Sequence, residues 1–325
     1  MLTIAVVCGG YSGEFEISIQ SGEQVYKNLD RSKYRPFLIE IRKDGWDCRW
    51  EGQKIPVNRE NFSVDIPGAT VCFDLIFSAI HGTPGEDGKL QGYFDLLGIP
   101  YTTCGSTTSS LTFNKSFCKG VASSLGYTTA KSVHLFRHTQ NPSEIIRKNL
   151  SFPMFIKPNN GGSSVGMTKV HNEKELPEAI ERAFHEDPEI LAEEFIEGRE
   201  LTCGVLRHEG KVIAFPVTEI ISKKEFFDYE AKYKDGLSSE VVPADIPDNI
   251  SNECRKISSE LYDHFNCRGV VRFDYILKGN TFYFLEVNTI PGMTEQSIVP
   301  KMARAYGWTV RDLFTRLIEE TLRNS

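Results

Sequence analysis

The 325-residue chain is short of several things, and each shortage removes a class of function. Its eight cysteines stand at 8, 48, 72, 104, 118, 203, 254 and 267, with no C-x-x-C pair among them. Such scatter offers neither a zinc knuckle nor a disulfide framework, so reduced core thiols in a cytoplasmic protein are expected. Positive charge is scarce as well: 37 Lys and Arg against 44 Asp and Glu leave a formal net charge of −7. Broad attraction to nucleic acid or to an anionic membrane is excluded, although a local phosphate pocket is still allowed. No apolar run approaches a membrane span. The opening "MLTIAVVCGG" lacks a basic region and reads as a first β-strand rather than a leader. The chain also has no Walker A pattern, G-x-x-x-x-G-K-[ST], and "CGGYSGE" after the first strand is not G-x-G-x-x-G. A P-loop ATPase and a nicotinamide dehydrogenase are thereby set aside.

What remains is the composition of a globular protein, 40% hydrophobic and 25% charged, long enough for two or three packed units. Residues 1–105 alternate strands such as "LTIAVV", "RPFLIEI" and "FDLIFSAI" with helices over 16–29 and 90–97. This predicts an α/β unit with a mostly parallel sheet, whose ligand-bearing loops are "CGGYSGE" and "HGTPGEDG" at strand ends. A second, α+β unit is expected over 106–192. It comprises a helix from Ser116 to Leu125 with Phe117, Val121 and Leu125 inward, the strand "FPMFIK", a glycine-rich loop and a helix over 173–185. Residues 193–325 read as a third unit of antiparallel strands, with a hairpin at Glu209-Gly210 and a helix striped by Ile250, Cys254, Ile257, Leu261 and Phe265. Within it, residues 222–240 are polar and aromatic without periodicity, and are expected to be a long surface loop.

The chemistry concentrates in three places. In "TFYFLEVNTIPGMT", residues 281–294, Glu286 and Asn288 fall two apart on a strand and so share a face, and Pro291-Gly292 ends the pairing. The preceding strand, "VVRFDYIL", joins it through Gly279-Asn280. A two-residue turn would pair Asp274 with Leu285; a three-residue loop, or a bulge to the same effect, pairs Asp274 with Glu286 and Arg272 with Asn288. In the second register two carboxylates and an amide converge, an oxygen set suited to Mg²⁺ bridging to phosphate. Either acid alone reads equally well as a solvated charge. In "FIKPNNGGSSVGM", Lys157 ends a buried strand and the following loop can offer backbone N–H groups and hydroxyls to an anion. Lys115 opens a helix, and "ILAEEFIEGRE" carries Glu193, Glu194 and Glu200; in isolation both are ordinary surface features. His81, before Gly82, is the best placed of seven histidines.

Taken together, "GGYSGEFEIS", "HGTPGEDG", Lys115, "KPNNGGSSVGM", "EEFIEGRE", "FFDYEAKY", "RFD" and "EVNTIPGMTEQSIVP" span nearly the whole chain. In this order they resemble the D-alanine–D-alanine ligases of the ATP-grasp superfamily. The resemblance implies ATP held between two α+β subdomains, with the N-terminal α/β domain completing the substrate site. It implies two Mg²⁺ ions (Mn²⁺ as a possible substitute) on Asp274, Glu286 and Asn288. It also implies phosphate clamps at Lys115, Lys157 and Lys232, and nucleoside contacts at Glu193, Glu194, Ile196 and Glu200. Glu14, tied to Ser163 and Tyr233, would face the first D-alanine, with His81 nearby. Arg272 and Gly292 would stabilise an oxyanion, and Ser297 and Ile298 would receive the second carboxylate. Residues 226–233 would close as a lid, and a homodimer is the family expectation. The sequence departs from the commonest pattern at Asn114, at Asn159-Asn160-Gly161 and at Glu194, none of which removes a group that the chemistry needs.

Overall fold

The computed structural model describes residues 1–222 and 238–324. Its first sheet has the order β6-β5-β4-β3-β2-β1-β7. Strand β1 (Leu2–Gly9) is apolar along most of its length and lies between β2 (Tyr34–Ile41) and the edge strand β7 (Leu75–Ser78), parallel to both. Helix α1 (Phe15–Asn28) packs so closely on β1 that a Cβ at Gly22 would come within 2.5 Å of the Cys8 Cβ. The sheet is less parallel than its alternating sequence suggests. Strands β3 (Trp46–Trp50), β4 (Gln53–Asn58), β5 (Ser63–Ile66) and β6 (Ala69–Val71) add to β2 as an antiparallel meander. The connections decide this: Glu51-Gly52 is a two-residue turn, and such a turn can only reverse the chain, whereas a parallel crossover needs a dozen residues or more.

Helices α2 (Lys89–Leu97), α3 (Ser106–Phe113) and α4 (Lys115–Ser124) lead to a second sheet of order β10-β9-β11-β8. Its strands are β8 (Ser132–Phe136), β9 (Met154–Pro158), β10 (Thr168–Val170) and β11 (Glu189–Glu194), with α5 (Pro142–Asn149) and α6 (Leu176–Glu186) between them. The inward face of α4 differs from the expected one. Phe117 is 60% exposed and Leu125 40%, while Cys118, Lys119 and Ala122 are buried. Small residues let α4 lie close to the third sheet, and a buried lysine takes the place expected of an apolar side chain.

That third sheet runs β15-β14-β12-β16-β17, with β13 paired to β12. It comprises β12 (Arg199–His208), β13 (Lys211–Ala214), β14 (Thr218–Ser222), β15 (Ser238–Val241), β16 (Val270–Lys278) and β17 (Thr281–Asn288). Glu209-Gly210, both at positive φ, turns β12 into β13 as its sequence predicts. The segment expected to be one loop over 222–240 is strand at both ends, because β14 and β15 pair from Glu219↔Val241 to Ser222↔Ser238. Helix α7 (Asp248–His264) buries Ile250, Cys254 and Leu261, as its stripe requires. Helices α8 (Ile298–Ala305) and α9 (Val310–Arg323) return to the first sheet, where Phe314 meets Phe77 edge to face at 5.5 Å. Each such buried aromatic contributes about 2–3 kcal/mol through the area it removes from water. All eight cysteines are free thiols, seven of them buried. No helix among the described residues is long and apolar enough to cross a membrane.

Candidate active site

The site begins with the β16–β17 hairpin. Its turn has two residues, because Lys278 pairs with Thr281, and a bulge between Asp274 and Tyr275 then shifts the register by one. Leu285 is the extra residue. Beyond it Asp274 faces Glu286 and Arg272 faces Asn288, so the bulge delivers the pairing that a longer loop would also have given. All four side chains project from one face, joined there by Thr202 of β12, which pairs with Asp274.

On this face Asp274 is buried and fully engaged by chemistry suited to a carboxylate. Its Oδ1 accepts from Thr202 Oγ1 at 2.6 Å and from Arg272 Nε at 2.9 Å, and its Oδ2 accepts from an Arg272 guanidinium nitrogen at 2.8 Å. Burial alone would lower the Arg272 pKa, but Asp274 and then Glu286 hold it above the usual value. Lys115 lies 3.6 Å from Glu286 and donates to the Gly161 carbonyl at 2.5 Å, so it links the acidic hairpin to the glycine-rich loop. Turned with its nitrogen toward Glu86 and the Ile290 carbonyl, the Asn288 amide donates to them at 3.1 and 3.2 Å. Two carboxylates and an amide oxygen, beside a lysine, form a hard-oxygen set. It fits Mg²⁺, and Asp274 Oδ2 retains a lone pair for it beyond the Arg272 bond. Among the described residues no group of three or more Asp, Glu, His and Cys is placed to hold a metal, so an ion here would draw on the amide, water and phosphate as well.

The glycine-rich loop follows β9 and is shaped by Gly161 and Gly166 and by Ser163 and Ser164, all at positive φ. Its base is fixed: the buried Asn159 accepts from the Ser116 N–H at 2.9 Å and donates to Glu189, and Asn160 is held by Asp187. Asn114 does the work of an acidic cap, accepting from the Phe117 N–H at 3.0 Å to start α4. At the loop's tip the Ser163 hydroxyl donates to the Glu14 carboxylate, although 149 residues separate them. Glu14 occupies the N-cap position of α1 without capping it, and its carboxylate turns to the loop instead.

Lys157 donates to Glu193 Oε1 at 2.8 Å. Glu193 is buried on β11 and also accepts from Lys119. The Glu194 N–H is used by the Lys131 carbonyl at 2.9 Å, which leaves the Glu194 carbonyl as the group able to meet a ligand edge. Ile196 lies just beyond β11, and Glu200 sits on the Thr202–Asp274 face of β12.

Across the site, His81 is buried between its Nε2 contact with Ser21 Oγ at 3.1 Å and its Nδ1 contact with the Ile290 carbonyl at 2.9 Å. A carbonyl can only accept, so Nδ1 carries the proton and Nε2 accepts from Ser21. Burial lowers the His81 pKa and keeps the ring neutral. Ser21 Oγ in turn accepts from the Met293 N–H at 3.2 Å, so His81 and Ser21 pin both ends of the Pro291-Gly292 turn. Glu86 does the same from another side, accepting from the Gly82 N–H at 2.6 Å and the Ile290 N–H at 3.3 Å. Gly292 lies close to Ser297: a Cβ there would come within 2.7 Å of Ser297 Oγ, and that hydroxyl would have to turn away. That hydroxyl meets the Thr294 N–H and Oγ1, and Ile298 opens α8, where the first N–H groups have no intrahelical acceptor and favour an anion.

Contacts thus join Glu14 to Ser163, Arg272 to Asp274, both His81 and Asn288 to the Ile290 carbonyl, and Gly292 to Ser297, with Asp274 facing Glu286 across the hairpin. Lys115 reaches Glu286 and the Gly161 carbonyl, and Lys157 at the end of β9 pairs with Glu193. Lys232, Tyr233 and the rest of the expected lid over 226–233 lie outside the described residues. Ser21, Glu86, Lys119 and Thr202 escaped the sequence reading. Glu86 lay within the quoted "HGTPGEDG", and its spacing from His81 was the available signal. Ser21 and Thr202 look like routine small polar residues in their elements, and nothing local distinguishes them.

Comparison with known proteins agrees with this geometry. The family described as D-ala D-ala ligase N-terminus matches residues 3–104, and D-ala D-ala ligase C-terminus matches residues 121–319. The chain is 43% identical over 323 residues to a D-alanine--D-alanine ligase of Azobacteroides pseudotrichonymphae, covering 98% of this chain and 99% of that one. It is 44% identical over 326 residues to one of Flavobacterium johnsoniae, with 99% and 100% covered. Among solved structures, a VanG D-Ala:D-Ser ligase from Enterococcus faecalis superposes with a TM-score of 0.89 at 33% identity, covering 98% and 99%. A Bacillus anthracis D-alanine--D-alanine ligase complexed with ATP gives 0.79 at 29% identity, covering 99% and 98%. With both halves matched and relatives aligned from end to end, the chain belongs to the D-alanine–D-alanine ligase family, whose fold is the ATP-grasp.

Proposed function

We propose that the chain joins two D-alanines to D-alanyl-D-alanine at the expense of ATP, through an acyl phosphate, supplying peptidoglycan precursors. The observation that carries this reading is Lys115, which joins Glu286, opposite the Arg272–Asp274 pair, to the glycine-rich loop whose Ser163 holds Glu14. Glu14 supplies an anion for the first substrate's ammonium. Arg272 and the Gly292 N–H sit where negative charge develops when an amine attacks a carbonyl, and such pre-aligned donors are commonly the largest catalytic term. Ser297 and the α8 N-terminus suit the second carboxylate.

Asp274, Glu286 and Asn288 would hold Mg²⁺, which when bound neutralises charge on the nucleotide phosphates. Lys115, Lys157 and Lys232 would clamp those phosphates, with Glu193, Glu194, Ile196 and Glu200 around the nucleoside. The segments 1–105, 106–192 and 193–325 are proposed as the substrate, central and catalytic units. Tyr233 in "YEAKY" favours an amine as second nucleophile, which selects the dipeptide over a D-alanyl–D-lactate ester. A homodimer working in the cytoplasm completes the reading; sedimentation of the purified chain at micromolar concentration tests the assembly.

The experiment is phosphate release from ATP and Mg²⁺ with D-alanine against L-alanine, followed by product analysis with D-alanine alone and with D-serine or D-lactate added. Dipeptide from D-alanine and no turnover on L-alanine are expected. Equal turnover on both isomers, or mainly ester or mixed product at neutral pH, overturns the assignment.

A further inference from the structure

Lys119 is a buried lysine that no step above uses. It points from α4 into the protein, where its Nζ donates to the Ala130 carbonyl at 3.0 Å and to Glu193 Oε2. Glu193 is equally buried, and its other oxygen, Oε1, accepts from Lys157 at 2.8 Å. One carboxylate thus serves two cations that differ in standing. Lys119 is 3% exposed and fixed by a second acceptor, whereas Lys157, at the end of the strand that leads into the glycine-rich loop, has this carboxylate as its one acceptor among the described residues. Although burial alone would raise the Glu193 pKa, Lys157 and Lys119 together hold it below the usual carboxylate range. The carboxylate is therefore charged and acceptor-only.

We propose that Lys119 is a positioning residue that locks Glu193 Oε2, so that Oε1 can be handed from Lys157 to the exocyclic amine of adenine, releasing Lys157 to the phosphates. This rests on the reading of Glu193 as the adenine contact. Its physical basis is that a buried carboxylate cannot give up its sole cation without a large penalty, but can give up one of two. A purine with a carbonyl at position 6 offers Oε1 no proton, cannot displace Lys157 and meets oxygen–oxygen repulsion. Base recognition and phosphate binding are in this way linked through one carboxylate, and nucleotides with the wrong base leave the phosphate clamp unavailable.

Two measurements test it. In the wild-type protein with Mg²⁺, adenosine should tighten pyrophosphate binding at least fivefold by calorimetry, and inosine should not; equal binding with and without adenosine overturns the handover. In the second, steady-state KM for ATP, ITP and D-alanine is compared among wild type, Lys119→Met and Glu193→Gln. Lys119→Met should raise the ATP KM about tenfold or more and shrink the ATP-over-ITP preference by a similar factor. Its D-alanine KM should stay within twofold. Glu193→Gln should also erode the preference. If Glu193→Gln leaves it intact, the underlying contact is wrong. If Glu193→Gln erodes it while Lys119→Met does not, the contact stands and the role of Lys119 falls. If Lys119→Met fails to fold, the pyrophosphate measurement still decides the handover, and Lys119→Gln, which lacks the charge but keeps a donor, takes its place in the kinetic comparison with the same expected loss of ATP-over-ITP preference.

Discussion

His81 Nδ1 donates to the Ile290 carbonyl at 2.9 Å across 209 residues of sequence, fastening the loop after β7 to the turn that presents Gly292. The bond is buried, and its far side is continued by Ser21 to the Met293 N–H. His81→Ala would take from the Ile290 carbonyl one of its two donors and from the Ser21 hydroxyl its acceptor, at a cost of about 1–2 kcal/mol. It would also loosen the turn whose Gly292 N–H is proposed to meet the developing oxyanion. We expect ligation kcat/KM to fall roughly 100-fold and Ser21→Ala to act in the same direction more weakly. A His81→Ala enzyme with wild-type kcat/KM would show that the turn is positioned without it.

Asp274 is gripped by Arg272 through two nitrogens and by Thr202 through a hydroxyl. Asp274→Asn keeps the shape but removes the charge that both Arg272 and a cation need. The expected result is a drop in kcat of about 10²–10³-fold, with the Mg²⁺ concentration for half-maximal rate raised at least tenfold. Titrating Mg²⁺ at saturating ATP and D-alanine measures both. An unchanged Mg²⁺ dependence would remove Asp274 from the metal edge.

The comparison of sequence and structure teaches most where they part. Period-2 alternation placed Glu286 and Asn288 on one face, and turn chemistry placed the hairpin, because both depend on neighbours along the chain. The bulge at Leu285 was not legible, since a register slip is decided by what the two strands pack against rather than by either strand. The meander β3–β6 was hidden for a different reason: its strands are short and half polar, and their pairing is set by short turns, Glu51-Gly52 and Pro67-Gly68 among them. On α4 the apolar Phe117 and Leu125 suggested the wrong inward face. Cys118 and Ala122 won it because a close approach to β17 favours small side chains, and Lys119 followed them in because Glu193 was waiting. Ion pairs between distant elements leave no periodic trace.

Gly269 shows how tightly the units are joined. It lies at φ +66 between α7 and β16, and a Cβ there would sit 1.9 Å from the Thr102 carbonyl oxygen. Gly269→Ala therefore suffers both backbone strain and a backbone clash that no rotamer can relieve. We expect a loss of at least about 3 kcal/mol, read as a fall in Tm of ~6 °C or more, or as insoluble protein. Gly126→Ala, also at positive φ but with no atom within 4 Å of the added Cβ, should cost less. Equal losses at the two positions would show that strain alone, without the Thr102 contact, sets the penalty.

Glu86 gives the site a pH signature. Burial first, and then the nearby Glu14 charge, push its carboxyl up to about 8, against the pull of the Gly82 and Ile290 N–H groups. In the unfolded chain the same group titrates near 4.3. Between those values the folded protein binds the extra proton, so the stability that Glu86 contributes is complete below pH ~4 and is lost as pH rises through about 8. Glu86→Ala deletes the titration while leaving the two N–H groups unpaired at every pH, a roughly constant cost. The difference in Tm between wild type and Glu86→Ala, measured without Mg²⁺, should therefore shrink steadily from pH 5 to pH 9. A change of about 3 °C or more is expected over that range. A difference that stays flat would mean that Glu86 is ionised throughout, and that its bonds to Gly82, Ile290 and Asn288 outweigh its burial.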